Sequence, residues 1–106
     1  MTFKVRLTRH AQADLDRLFD FVIERELARP GGGDLALADE ALAAIRAGFG
    51  TLSTSPFTCR KASSSPFFRE LIISFGRSGY VALFEIEDAD TVTVLAVRHQ
   101  LEEDYH

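Results

Sequence analysis

Three arginines, a histidine and a tyrosine are the side chains of this 106-residue sequence whose types and positions could act on another molecule. Arg69, Arg77 and Arg98 lie near the ends of three apolar runs in the last third, and His99 and Tyr105 follow Arg98. Such a set offers cations for an anionic group and two titratable side chains for proton transfer. Each residue also has a plainer role. Arg98 suits a strand-end cation paired with Glu85 or Glu87, worth under about 1 kcal/mol at a surface. His99 suits a solvated turn and Tyr80 a packed sheet edge, and a tight turn alone accounts for the glycines around Arg77 and Ser78. His10, His99 and His106 have no metal-ligand spacing, and Cys59 stands alone. Neither a metal nor another cofactor is therefore expected. The sequence has no Gly-rich phosphate loop and no nucleophile elbow.

The elements that must position these residues are legible in the spacing of apolar positions. Phe3, Val5 and Leu7 alternate with Lys4, Arg6 and Thr8, which predicts a strand with one buried face. Thr8 then reads as a helix N-cap. Ala11, Leu15, Leu18, Phe19, Val22 and Ile23 form one helical stripe, closed by Pro30-Gly31-Gly32-Gly33. Asp34 is placed to cap a second helix, with a stripe of Leu35, Ala38, Leu42, Ile45, Phe49 and Leu52 that ends at Ser53 to Pro56. The small residues Ala41 and Ala44 suit an antiparallel helical hairpin. A Ser-rich connection, Thr58 to Pro66, leads to the three strands between Phe67 and Arg98, and a short tail starts at His99. The expected fold is α+β, in the order β-α-α-β-β-β. An antiparallel sheet of about four strands packs against the helical hairpin in a single domain, 1–106.

The three late strands are apolar on both faces. Leu71, Ile73, Ala82, Phe84, Val94 and Ala96 share one parity; Phe68, Ile72, Val81, Leu83, Leu95 and Val97 take the other. Two helices cover only one face of a sheet. The surplus face must meet the Ser-rich loop, the tail, a second copy or a dedicated partner. A formal net charge of −4 opposes bulk attraction to nucleic acid, although Arg60, Lys61, Arg69 and Arg77 face only Glu70 between Pro56 and Phe84. With 46% apolar and 26% charged residues the chain has the balance of an ordinary globular protein. It has neither a signal-peptide h-region nor an apolar run long enough to span a membrane, and its lone cysteine suits a reducing cytoplasm.

Taken in order, several short motifs resemble the ParE/RelE superfamily of bacterial type II toxin–antitoxin toxins, and its ParE branch in particular. They are Val5-x-Leu7-Thr8-x-x-Ala11 before Asp14-Leu15, the helical hairpin ending in Leu52 and Pro56, and Arg69-Glu70-Leu71. Gly76-Arg77-Ser78-Gly79-Tyr80-Val81-Ala82-Leu83-Phe84-Glu85 and Val97-Arg98-His99-Gln100 complete the set. The resemblance implies a small cytoplasmic toxin held by a cognate antitoxin, with no membrane role and no sequence-specific DNA binding of its own. ParE-like members poison DNA gyrase by protein contact, whereas RelE-like members cut mRNA on the ribosome. Arg69, Arg77, Arg98, His99 and Tyr105 become the expected target-contact residues. If the chain were a nuclease, Arg69, Arg98, His99 and Tyr105 would be its catalytic group, although the lysine cluster of those enzymes is missing. The face bearing Leu71, Ile73, Ala82, Phe84, Val94 and Ala96 is expected to bind antitoxin unless the helices take that parity. A degenerate member that binds antitoxin but has lost toxicity is a further reading, since Leu101-Glu102-Glu103 adds acid to the tail.

Overall fold

The computed structural model describes residues 2–105. Strand β1 (Lys4–Leu7) leads into helices α1 (Arg9–Leu27) and α2 (Ala36–Leu52). After a single 3-10 turn at Pro56–Thr58 come β2 (Arg60–Lys61), β3 (Phe68–Phe75), β4 (Ser78–Ile86) and β5 (Thr91–His99). The sheet has five strands in the order β1-β5-β4-β3-β2, and β1 runs parallel to β5 while the other pairs are antiparallel. The sheet is thus mixed, with one strand more than the expected four. The extra strand is β2, whose two exposed polar residues carry no apolar pattern to announce it.

Both helices begin close to where their sequences say. The Thr8 hydroxyl accepts the Ala11 amide at 3.0 Å, satisfying one of the donors a helix leaves unpaired at its start. Asp34 acts one residue earlier than expected: its Oδ1 accepts the Ala36 amide at 3.0 Å, and Leu35 occupies the cap without a side-chain bond. Ala11, Leu15, Leu18 and Val22 of α1 are buried, as are Ala38, Ala41, Ile45, Phe49 and Leu52 of α2. Of these, Ala11, Leu15, Leu18, Ala41, Ile45, Phe49 and Leu52 meet Ile73, Tyr80, Ala82, Phe84, Ile86, Val92, Val94 and Val97 of the sheet in one core.

The helix-facing parity includes most of the set expected to bind antitoxin. Ile73, Ala82, Phe84 and Val94 are core residues at 5% exposure or less, and Leu71 packs against them. Ala96 alone parts company. Leu83 pairs with Ala96 and Phe84 with Val94, so Leu95 is an extra residue bulged out of β5. A one-residue bulge switches parity, so Val97 joins Val94 on the helix side and Ala96 turns to the opposite face.

Two glycines shape the β3–β4 hairpin. Gly76 has φ +59°, while Arg77 beside it has none of the positive φ an L residue avoids, the pattern of a two-residue type II′ turn. Gly79 is there because of crowding: a Cβ at that position would lie 2.1 Å from the Ile73 carbonyl oxygen.

The α1–α2 connection is tied by a carboxylate with no accessible surface. Glu26 accepts the Asp34 amide at 3.1 Å and pairs with Arg25 at 3.1 Å and Arg29 at 3.3 Å. The Asp34 amide, foremost, holds its carboxyl below the ordinary 4.5 against the desolvation of burial, with Arg25 and Arg29 assisting. A depressed native value stabilises the fold above the unfolded value, and that stabilisation is lost as pH falls through the native one. Thermal melting should therefore weaken as pH drops below 4.5, and Glu26→Gln should flatten that part of the pH profile. An unchanged profile in the variant would show that other carboxylates carry the acid sensitivity.

Candidate functional site

Strand β5 extends past the strand that flanks it. Pairing with β1 ends at Leu7 opposite Val94, which leaves the backbone from Leu95 onward with an unpaired edge. Side chains from α1 and the tail fill that role. The Thr8 hydroxyl donates to the Leu95 carbonyl at 3.1 Å, Asp14 accepts the Val97 amide at 2.8 Å, and Arg17 donates to the Val97 carbonyl at 3.3 Å. Glu102 accepts the His99 amide at 2.8 Å and receives Arg17 on both carboxylate oxygens at 3.1 and 3.2 Å. Asp14 is only 3% exposed and lies 3.6 Å from Arg17 and 3.5 Å from His10. A buried carboxylate that meets a backbone donor and a guanidinium is satisfied in both charge and hydrogen bonding.

The five sequence-expected residues separate into different surroundings. His99 falls on the helix-facing side, opposite Tyr80 and edge-on to its ring at 5.5 Å between centroids. Its Nδ1 accepts the Leu101 amide at 3.1 Å and its Nε2 lies 3.0 Å from the Ser78 hydroxyl. With Nδ1 accepting, the neutral ring carries its proton on Nε2 and donates it to Ser78. That polarity is opposite to the one a general base for the hydroxyl would need.

Arg98, one residue away, points to the other face. It donates to the Glu102 carbonyl at 2.6 Å, with longer bonds of 3.4 Å to the His99 and Gln100 carbonyls, and its guanidinium lies 5.2 Å from the Tyr105 ring centre. It therefore winds the tail around itself and makes no pair with Glu85 or Glu87. The Tyr105 hydroxyl completes the wrap by donating to Glu70 at 2.5 Å. Burial, foremost, and the Glu70 carboxylate push the Tyr105 phenol above its ordinary range, so it remains a donor.

Arg69 is not part of this group. It pairs with Phe84, whereas His99 pairs with Tyr80, a separation of ~13 Å along β4 at the usual strand rise. Its guanidinium donates to the Pro66, Phe57 and Cys59 carbonyls at 2.8, 3.0 and 2.7 Å and sits 5.3 Å from the Phe57 ring centre. Arg77 sits exposed at the hairpin tip, without a hydrogen-bond or ion-pair partner among the described residues.

Sequence reasoning missed Asp14, Arg17 and Glu102 as parts of this end. The available signal was helical spacing: Asp14 sits three residues after Ala11 and one before Leu15, on the buried stripe. Arg17 and Glu102, together with Leu18, Phe21, Arg25, Ser78, His99 and Leu101, border a groove of about 470 Å³ between α1 and the tail. Phe21 is 57% and Leu101 80% exposed there. Among the described residues, no three His, Cys, Asp or Glu side chains converge as metal ligands.

The opposite sheet face is half covered. The tail lies over the end bearing Arg98 and Glu70, and Ala96 and Val81 are buried, but Ile72 remains 43% exposed and Phe68 and Leu83 are intermediate. Beside that face, β2 pairs only with Arg69 and Glu70, so the backbone of Ile72 and Ser74 has no hydrogen-bonded neighbour on its outer side.

A helical hairpin on one face of a mixed sheet, with a cation-bound tail on the other, defines a small α+β domain whose distinctive end is built from its last strand. The family described as "ParE toxin of type II toxin-antitoxin system, parDE" matches residues 5–104. The chain belongs to that ParE toxin family. Among solved structures it resembles one described as a chromosomal ParDE toxin–antitoxin system from P. aeruginosa, at TM-score 0.71 and 21% identity, covering 92% of this chain and 96% of that one. It also resembles a chain of the toxin–antitoxin complex RelBE2 from Mycobacterium tuberculosis, at TM-score 0.62 and 24% identity over 96% and 95%. At these identities the likeness is one of fold, shared by ParE-type and RelE-type systems. No curated protein matches significantly. Among the described residues no helix is long and apolar enough to cross a membrane.

Proposed function

We propose that this ParE-family toxin acts in the cytoplasm by binding DNA gyrase, without chemistry of its own, and that a cognate antitoxin neutralises it. The observation that carries the contact-based reading is the state of Arg98 and His99. Arg98 spends its guanidinium on tail carbonyls, and both His99 ring nitrogens are engaged, Nδ1 with the Leu101 amide and Nε2 with the Ser78 hydroxyl. An RNA-cutting site needs a free base beside a cation that can reach the phosphate. A chain of net charge −4 also lacks the field that draws a protein to ribosomal RNA.

For the antitoxin, the half-covered face and the bare edge of β3 are complementary to a partner segment. An extended strand could pair with Ile72 and Ser74 while its side chains cover Phe68, Ile72 and Leu83. In this reading the antitoxin uses the parity opposite to Ile73, Ala82, Phe84 and Val94, because the helices already hold those. Arg77 and the groove beside Phe21 and Leu101 are left for the target.

Induced expression without antitoxin tests the target. The expected result is filamentation, a DNA-damage response and gyrase-linked DNA breaks. Rapid loss of translation with cleaved mRNA and intact DNA would replace gyrase with the ribosome. Unaffected growth would leave an antitoxin-binding protein without toxicity.

A further inference from the structure

A second groove, of about 460 Å³, lies at the end of the sheet away from the tail, where β4 gives way to β5. Phe3 and Ile86 contribute its deeper surface, and Phe57 and Phe67 stand at its sides 51% and 49% exposed. Two half-exposed phenylalanines bordering one concavity form the kind of apolar surface that soluble proteins otherwise keep covered. Nothing described above uses it.

The groove is held in shape by the backbone around it. Arg69 bonds the Phe57 carbonyl and covers its ring, the Ile86 amide donates to the Phe67 carbonyl at 2.8 Å, and the Phe3 amide donates to the Ser53 carbonyl at 2.6 Å. Arg69, expected to touch the target, is in this structure a positioning residue for a groove wall. A site already in its final shape loses little conformational freedom when it is filled.

The rim sets the chemistry of the occupant. Glu87 and Asp88 are exposed in the turn after Ile86, and neither makes an ion pair among the described residues. Lys4, on β1 beside that turn, forms no pair with them. An apolar cleft under two unneutralised carboxylates favours an apolar anchor accompanied by positive charge and repels an acidic one. We propose that this groove is a docking site, separate from the half-covered sheet face, for a partner's peptide segment in which an apolar residue is flanked by lysine or arginine.

Selection of a random dodecapeptide library displayed on phage against the immobilised full chain tests this. The expected outcome is recovery of peptides with a leucine or aromatic residue beside Lys or Arg. Recovery should fall at least tenfold on Phe67→Ser, with far-ultraviolet circular dichroism and melting used to confirm its fold. Glu87→Lys/Asp88→Lys changes only exposed rim residues and should turn the flanking preference from basic to acidic. No enrichment, enrichment without basic bias, or peptides that bind both variants as they bind the parent would overturn the proposal. Concentration-dependent self-association abolished by Phe67→Ser would also overturn it, by giving the groove to a second copy.

Discussion

An Asp14→Ala variant should lose about 3 kcal/mol of stability, the cost of stripping partners from a buried, paired network. The substitution leaves the Val97 amide without an acceptor at a point where β1 no longer flanks β5, and it removes one of the two carboxylates that hold Arg17. For a chain of about this size such a loss lowers Tm by roughly 12–24 °C. Asp14→Asn keeps an oxygen for the Val97 amide and gives up only the charge, so its loss should be nearer ~1 kcal/mol. Calorimetry of the two variants separates the contributions. If both melt with the parent, the link from α1 to the end of β5 contributes nothing. Amide exchange offers a second reading: Val97 should exchange faster in the alanine variant, while Val92, inside the β1–β5 ladder, should not.

Gly79→Ala should be the most damaging single methyl in the protein. The new Cβ would fall 2.1 Å from the Ile73 carbonyl oxygen and 3.0 Å from its carbonyl carbon, so two ladder strands would have to separate. Neighbouring backbone cannot swing aside as a side-chain tip can. A loss of at least about 3 kcal/mol is expected, the upper end of what overpacking costs. Gly50→Ala is the control. That glycine is in α2 with nothing within 4 Å of the added carbon, and helix propensity predicts a gain of up to about 1 kcal/mol. The same chemical change thus has opposite signs at two positions, as urea midpoints would register. Equal effects at both sites would refute the crowding argument.

Much of the fold could be read from local rules, because helix stripes and the Thr8 cap depend on residues three and four apart. The parts that escaped depend on geometry that spacing does not encode. Leu95 looks like one more apolar strand residue. Only its placement as an extra member of the β4–β5 pairing moves Ala96 away from Val94. Glu26 looks like a surface acid until the Pro30–Gly33 turn brings the Asp34 amide back onto it. The candidate site was legible as a list of residue types. Its arrangement was not: Arg98 and Tyr105 meet over Glu70 because the tail turns back, and Arg69 is occupied by a loop the sequence shows only as serine-rich.

The parallel pairing of β1 with β5 also governs when this protein can become itself. Its partners are separated by 87 residues, as in the bond from Thr8 to Leu95. During vectorial synthesis, at ~5–20 residues per second, the helical hairpin can form as soon as it emerges. Strand β1 must wait for residues 91–99, which also carry the core positions Val92, Val94 and Val97. A nascent chain halted before β5 has a hairpin with no completed sheet beneath it, and no Arg98 around which to wind a tail. Completion of the sheet is thereby postponed until residues 91–99 have emerged, and the end of the molecule around Arg98 and His99 takes shape after the helical hairpin.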